Sequence, residues 1–174
     1  MISRMIKNLS LALLLAALLP CALARAVEPD TPAAASARIE LAGAFSAPFV
    51  LNAESMATLT RVKVAANDHG VAATWEGVRL QDVLLRAGAP LGDQLRGRAT
   101  ALVVRISAAD GYRSAFALAE FDAAFGNLEA VLADSRDGKP LSPAEGPFRL
   151  VLPTHARQAR SVRQITKIEL IDLY

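Results

Sequence analysis

Apolar residues recur at every second position in many short runs of this chain, which is the spacing of half-buried strands. Strands are predicted at Arg38–Ala42, Phe45–Leu51, Arg61–Ala66, Ala101–Ile106, Arg113–Leu118, Val131–Ala133, Phe148–Leu152 and Gln164–Leu173. Pro48 lacks an amide hydrogen, so the second of these runs is expected at a sheet edge. Asp137-Gly138 is a hairpin-type turn between later strands.

Helical spacing is confined to short stretches. Asn52 is a candidate N-cap for a helix that ends near Leu59, and Leu80 to Ala87 repeats apolar residues on one helical face before Gly88. A helical turn is expected over residues 119–124, and Trp75 to Val78 is expected to form a turn. The pattern predicts an α+β domain with a mixed β-sheet or barrel-like core and a few short helices.

The first 26 residues have the pattern of a secretory signal peptide. Arg4 and Lys7 precede a Leu- and Ala-rich run, and Ala24-Arg25-Ala26 resembles a cleavage site. Residues 27–37 are expected to be a flexible lead-in, and residues 38–174 a single domain. The apolar run is shorter than a membrane span needs, so no span is expected after cleavage, although a retained anchor stays open. The expected location is periplasmic or secreted.

Charge excludes several kinds of partner. The chain has 19 Lys and Arg, of which three lie in the first 26 residues, so 16 remain against 17 Asp and Glu. A near-neutral domain is a poor candidate for binding nucleic acid or an anionic membrane. The sole cysteine, Cys21, lies within the signal segment, so the mature domain would have no thiolate for a disulfide or a metal.

Positive charge concentrates in one stretch, from Asp137 to Lys167. It contains Arg149, His155, Arg157, Arg160, Arg163 and Lys167. Guanidinium groups bind phosphate or carboxylate with paired hydrogen bonds, so an anion site is one interpretation. A solvated basic face beside an edge strand is the other.

Few other residues suggest chemistry. Asp68 and His69 could form a base and its orienting partner, and His69 and His155 with Asp68 or Asp110 could form a two-histidine, one-carboxylate metal site. Two loop histidines with ordinary hydrogen bonds are the simpler interpretation. Acidic residues near the hairpin are expected to serve turn formation and solubility, and the sole tryptophan to pack in the core or at its rim: Asp134, Asp137, Glu145 and Trp75.

Five segments, in order, resemble one family. They are GVRLQDVLLRAG from Gly77, DGYRSAFAL from Asp110, VLADSRDGKPL from Val131, GPFRLVLP from Gly146 and ARSVRQITKIEL from Ala159. This order is similar to the oxidoreductase molybdopterin-binding domain, the fold of sulfite oxidases. The resemblance covers about Phe45 to the C-terminus.

The resemblance implies roles for particular residues. Arg160 and Arg163 would clamp the phosphate of a molybdopterin cofactor, with Arg149 and His155 nearby, and Tyr112 would be a polar group of the pocket. An alternative for Tyr112 is a turn tyrosine with its hydroxyl in water. In the family a cysteine just after the strand that corresponds to Arg61–Ala66 binds molybdenum, but here that turn is Asn67-Asp68-His69-Gly70.

Three functions follow from these features. The first is a molybdopterin-dependent oxidoreductase domain, possessing or having lost activity, with Tyr112, His69 and Asp68 as candidate catalytic residues. The second is a non-catalytic module that binds another small anion or a periplasmic protein partner, which the missing thiolate and a short segment between Asp68 and Asp110 favour. The third, a small hydrolase, rests only on Asp68 and His69.

Overall fold

The computed structural model describes residues 37–174. It contains ten strands, two α-helices and four 3₁₀ helices within that range. The strands are β1 (Arg38–Gly43), β2 (Val50–Asn52), β3 (Arg61–Asp68), β4 (Val71–Arg79), β5 (Val103–Ala108), β6 (Arg113–Ala117), β7 (Val131–Arg136), β8 (Lys139–Pro140), β9 (Arg149–Val151) and β10 (Ile165–Ile171). The α-helices are α1 (Ala53–Ala57) and α2 (Leu80–Arg86), and the 3₁₀ helices are Gly92–Gln94, Gly97–Ala101, Leu118–Phe121 and Gln158–Arg160.

The first sheet is mixed and has the order β2-β1-β10-β5-β6. The last strand of the chain pairs parallel with the first, with Leu41 opposite Ile168, and antiparallel with β5. The first and last strands of the described chain therefore lie side by side within the sheet. Strand β2, which follows Pro48, lies at the edge as predicted.

The second sheet is antiparallel and has the order β3-β4-β7-β8, with β9 also paired to β7. Strands β3 and β4 form a long hairpin that closes tightly at His69 and Gly70, both with positive φ. The tight turn fixes where Asp68 and His69 lie relative to the sheet, and it lines a cleft that is described below.

The main hydrophobic core joins both sheets. Its buried residues include Ile39, Ile106 and Ile168 from the first sheet, Leu132 and Leu150 from the second, and Leu80, Val83 and Leu84 from α2. A smaller cluster surrounds Trp75 and contains Val131, Ala133 and Val151. The apolar side chains of the alternating strands therefore point into the core, where the two sheets pack against each other.

The predicted fold class is confirmed, since a mixed-sheet α+β domain with a few short helices is what the chain forms. Within residues 37–174 the two sheets do not close into a barrel. The predicted helices at Asn52 and Leu80 are present, and Asn52 and Ser55 form a reciprocal capping box. The expected helical turn after residue 118 is a 3₁₀ helix that begins at Leu118.

The turn predicted at Trp75 to Val78 is wrong, because these residues lie inside β4. The prediction took Gly77 for a turn residue. A Cβ atom there would stand 2.0 Å from the carbonyl oxygen of Leu132 on β7, so glycine is needed for close strand approach. The register of β4 on β7 also shifts between Glu76 and Gly77, which is typical of a β-bulge.

The expected signal peptide and most of the lead-in lie outside the described residues. No helix within residues 37–174 is long and apolar enough to cross a membrane.

Candidate functional site

A cleft lies where three loops meet at one end of the two sheets. The β3–β4 hairpin turn, the turn between β5 and β6, and the loop that leads from β9 to β10 all contribute to it. Its volume is about 620 Å³, within the range of small-molecule sites. We call residues 153–164, which form the third of these loops, the strap.

The cleft brings together five of the residues that the sequence singled out. Asp68, His69, Tyr112, Arg149 and Arg163 all line it. Residues that are distant in the sequence therefore converge on one cleft, although their predicted roles stay predictions. Arg160 and His155 do not line the cleft.

Arg149 forms the floor of the cleft and is only 4% exposed. It donates to Asp68 Oδ1 at 2.7 Å and also to Glu145. Arg136 reaches the same two carboxylates, at 3.1 Å from Asp68 and 3.4 Å from Glu145. We call these four side chains, Arg136, Arg149, Asp68 and Glu145, the charge quartet.

Both arginines of the charge quartet lie over Trp75. The guanidinium carbons are 4.9 Å (Arg136) and 4.7 Å (Arg149) from the ring centroid. Trp75 is 1% exposed, so the prediction of a core aromatic is confirmed, and the ring also stabilises the buried cations. Trp75 Nε1 and Arg149 Nε are buried and have no hydrogen-bond partner among the described residues.

The interpretation of Glu145 as a residue for turns and solubility is wrong, because its carboxylate is part of the charge quartet. Asp137 does serve a turn: it accepts a hydrogen bond from the Thr74 amide. Asp134 pairs with Arg61 on β3 at 2.7 Å. Glu145 meets Arg149 four positions later and Arg136 nine positions earlier, whereas Asp68 joins Arg149 across 81 positions, which no local spacing could indicate.

Asp68 is held in its charged form. The hydrogen bond from Arg149 keeps the pKa of this carboxyl below its ordinary value, against the opposing effect of partial burial, and the charge of Arg136 adds to the lowering. A carboxylate with a lowered pKa is a weak base near neutral pH. Asp68 is therefore poorly suited to accept a proton during catalysis.

His69 is not oriented by its neighbour. Its Nε2 lies 3.9 Å from Asp68 Oδ1, beyond hydrogen-bond distance, and its side chain is 84% exposed. The base-and-partner arrangement considered from the sequence is therefore not formed. Among residues 37–174 no three His, Cys, Asp or Glu side chains cluster as a metal site would require, which also removes the two-histidine, one-carboxylate alternative.

Tyr112 links the β5–β6 turn to the strap. Its hydroxyl donates to the carbonyl oxygen of Ala159, so the alternative of a hydroxyl in water is wrong. The residue remains 47% exposed at the cleft. A second tie joins the strap to the hairpin, since Gln158 Nε2 donates to Asn67 O at 2.8 Å.

Arg160 holds the strap from its other side. Its guanidinium donates to both carboxylate oxygens of Glu120 at 3.0 Å and to Ala115 O at 3.1 Å. It also lies 4.0 Å from the centroid of the Phe116 ring. These contacts hold the guanidinium outside the cleft and use its hydrogen-bond donors. Lys167, another cation of the same stretch, pairs with Glu169.

Two arginines in the cleft form no ion pair with another described residue. Arg157 and Arg163 are both exposed and line the cleft, and neither pairs with an acidic residue in the described part of the chain. Arg157 was within the basic stretch but was not singled out as a site residue. Its only signal was its place in the loop between β9 and β10, which His155, Arg160 and Arg163 share.

The net charge of the cleft follows from these pairings. The charge quartet is neutral, with two arginines against two carboxylates. Arg157 and Arg163 remain against Asp110, whose side chain accepts a hydrogen bond from the Tyr112 amide. The cleft is thus mildly positive and can bind one small anionic group.

The chain was compared with family models, with curated proteins and with solved structures. The family model described as "Oxidoreductase molybdopterin binding domain" matches residues 50–173. A search of curated proteins finds no match.

Among solved structures, the chain is similar to the sulfane dehydrogenase SoxCD from Paracoccus pantotrophus, with a TM-score of 0.61 and 16% sequence identity. The likeness covers 78% of this chain and 38% of that chain. This chain therefore corresponds to well under half of that protein, and the likeness concerns the fold.

Proposed function

The chain belongs to the oxidoreductase molybdopterin-binding domain family, and from this we propose that its cleft binds the phosphate-bearing end of the pterin cofactor between Arg157 and Arg163. One observation carries the proposal. These two exposed arginines line a single cleft and have no acidic partner among the described residues. Guanidinium groups left unpaired in a concave site favour a phosphate, which accepts several hydrogen bonds from each.

The proposal changes the residues of the clamp. The sequence indicated Arg160 and Arg163, with Arg149 and His155 nearby. Arg160 is engaged by Glu120 and Arg149 by Asp68 and Glu145, so neither guanidinium is available to a ligand without breaking an ion pair. Arg157 takes the place of Arg160 in the proposed clamp.

The residues of the cleft fit the phosphate of the cofactor but not its metal. Residues 37–174 contain no cysteine, since Cys21 is the only one of the chain. Asp68, the last residue of β3 and part of the segment where the resemblance locates the metal ligand, has both carboxylate oxygens bonded to arginines. A soft thiolate suits molybdenum far better than a carboxylate that is already paired with arginines, or than a single imidazole. We therefore derive no redox step through the cofactor.

A non-catalytic binding module is the second candidate function. It would use the same fold and the same clamp for a different small anion, or for a protein partner. The occupied Asp68 and the missing thiolate favour it. The hydrolase alternative has no such support, because His69 and Asp68 are 3.9 Å apart.

We also propose a periplasmic or secreted location with no nucleic-acid partner. The signal-like pattern of the first 26 residues and the near-neutral charge of the remainder support this. A fusion of residues 1–30 to a reporter enzyme that is active only after export would test the location.

The clamp is tested by titrating the protein with inorganic pyrophosphate and following the heat of binding. Arg157→Ala and Arg163→Ala are each expected to weaken binding by roughly tenfold or more, which corresponds to one charge-assisted hydrogen bond. Arg96→Ala is the matched control, because Arg96 is also exposed and does not line the cleft. Equal affinity in all four proteins would refute the clamp.

A further inference from the structure

The carboxylates at the floor of the cleft are already paired with arginines and are therefore not free to bind a metal ion. Asp68 accepts from Arg149 through Oδ1 and from Arg136 through Oδ2, and Glu145 Oε1 accepts from both arginines. Two guanidinium groups therefore surround both of these carboxylates. Any cation that approached them would meet two fixed positive charges at short range.

The remaining groups near the hairpin turn cannot replace these carboxylates. His69 is the one imidazole that lines the cleft, and it is almost fully exposed. The Asn67 carbonyl oxygen accepts from Gln158, and the Tyr112 hydroxyl donates to Ala159. Stable coordination of a transition metal needs three or four convergent donors, which the described residues do not offer.

The other wall of the cleft has features that suit an organic anion. Tyr112 is 47% exposed, and the hydrogen bond of its hydroxyl to the strap fixes the orientation of its ring. An exposed aromatic ring of fixed orientation can stack on a flat heterocycle. The cleft volume of about 620 Å³ is much larger than a phosphate ion requires, so the cleft has room for an organic group beside the phosphate.

We propose that this cleft binds a phosphomonoester of a flat heteroaromatic ring without any bond from the protein to a metal. The inference rests on the proposed clamp of Arg157 and Arg163, and adds that Asp68, one member of the charge quartet, lies in the segment where the resemblance places the metal ligand. The phosphate lies between the two arginines, and the ring packs on Tyr112. The ligand is a metal-free pterin phosphate or a nucleotide-like compound of the same chemistry.

Two measurements on the full chain test this inference. The first is elemental analysis of protein purified from a host that makes the molybdenum cofactor and dialysed extensively. We expect far less than one molybdenum atom per chain. About one retained atom per chain would overturn the metal-free assignment and leave the phosphate clamp intact.

The second measurement compares flavin mononucleotide, riboflavin, adenosine monophosphate and inorganic phosphate as probes. Flavin mononucleotide is expected to bind at least tenfold more tightly than phosphate, because stacking adds to the clamp. Riboflavin, which lacks the phosphate, should bind at least tenfold more weakly than flavin mononucleotide. Comparable binding of adenosine monophosphate would indicate a nucleotide-like ligand, and its exclusion would indicate a pterin-like one.

Variants of Tyr112 separate stacking from the tie to the strap. Tyr112→Phe keeps the ring and removes the hydroxyl, so it should retain most of the preference for flavin mononucleotide over phosphate. Tyr112→Ala should abolish that preference while phosphate still binds. If Tyr112→Ala keeps the preference, the assigned ring position is wrong. If no probe binds to the wild-type protein, the clamp itself fails.

Discussion

The guanidinium carbon of Arg149 lies 4.7 Å from the ring centroid of Trp75, and both side chains are almost completely buried. A buried cation is stable only where partners replace its water. Here the aromatic ring covers it and two carboxylates neutralise it. Through these contacts Arg149 joins β9 to Trp75 on β4 and to Asp68 at the end of β3, and so forms the floor of the cleft.

Truncation of Arg149 should destabilise the domain strongly. Arg149→Ala leaves Asp68 and Glu145 with Arg136 as their only cation, and we expect a loss of about 3 kcal/mol in the free energy of unfolding. Arg149→Lys should lose less, although a lysine cannot donate to both carboxylates as a guanidinium fork does. Urea unfolding measures both. Arg96→Ala, an exposed control, should change stability by under about 0.5 kcal/mol, and an equally small effect at Arg149 would contradict the assigned role.

Stability should depend on Asp68 at acid pH. The Arg149 hydrogen bond lowers the pKa of Asp68 in the folded protein below its ordinary value of 3.8. As the pH falls, the unfolded chain therefore takes up this proton first, and the stabilisation present above the ordinary value is lost as the pH falls through the folded pKa. Asp68→Asn should be less stable near pH 6 and should lose less further stability on acidification.

Urea unfolding at a series of pH values from about 6 down to about 2 checks this dependence. Asp93→Asn serves as the control, because Asp93 is exposed and forms no ion pair with another described residue. Its acid dependence should match that of the wild-type protein. An unchanged slope in Asp68→Asn would show that the ion pair with Arg149 contributes nothing in solution.

Gly77 should tolerate no side chain. A Cβ atom at this position would stand 2.0 Å from Leu132 O, which is backbone of the paired strand β7 and cannot move independently. Gly77→Ala should cost about 3 kcal/mol or more, because strands β4 and β7 must separate. Gly97→Ala is a useful comparison, since its φ of +56° is strained for alanine but no atom lies near the added carbon. It should cost only about 1–2 kcal/mol.

Thermal and urea unfolding of the two glycine variants distinguish these effects. If Gly97→Ala were the more damaging substitution, backbone conformation and not strand approach would dominate. Gly77 would then have no special role in the packing of β4 against β7.

Arg160 should act on the cleft through the strap and not by touching a ligand. Its ion pair with Glu120 anchors the segment between Arg157 and Arg163. Arg160→Ala and Glu120→Gln should each weaken pyrophosphate binding by about fivefold, and the double variant should be no worse than either single one, because both remove the same contact. Arg160→Lys should restore part of the affinity.

A matched surface pair provides the control for this prediction. Arg98 pairs with Asp172 at 2.9 Å and lies outside the cleft. Arg98→Ala should leave pyrophosphate binding unchanged. Additive losses in the double variant of Arg160 and Glu120 would mean that Arg160 contacts the ligand directly.

The order of the elements was predictable from the sequence because its signals are local. Alternation in β1, β3, β5 and β10, the Asn52 cap and the Gly88 terminus depend on residues within a few positions of one another. Other local motifs, such as GVRLQDVLLRAG from Gly77 and ARSVRQITKIEL from Ala159, carried the resemblance to the family that the family model identifies. They also located the stretch that supplies most of the cations of the cleft.

Sequence patterns led to wrong predictions where a residue distant in the sequence determines the role of a side chain. Gly77 has the sequence appearance of a turn residue, but the approach of Leu132 explains it. Arg157 and Arg160 are equivalent in the sequence, three positions apart in one basic loop. Glu120, forty positions from Arg160, occupies one guanidinium, and the other has no acidic partner in the described part of the chain.

The sequence by itself therefore determined the fold class, the family and the stretch that holds the cations. Only the tertiary structure decided which cations a ligand can use. A charge is available or neutralised according to what lies within a few ångströms of it. In this protein those neighbours come from up to 81 positions away, as Asp68 does for Arg149.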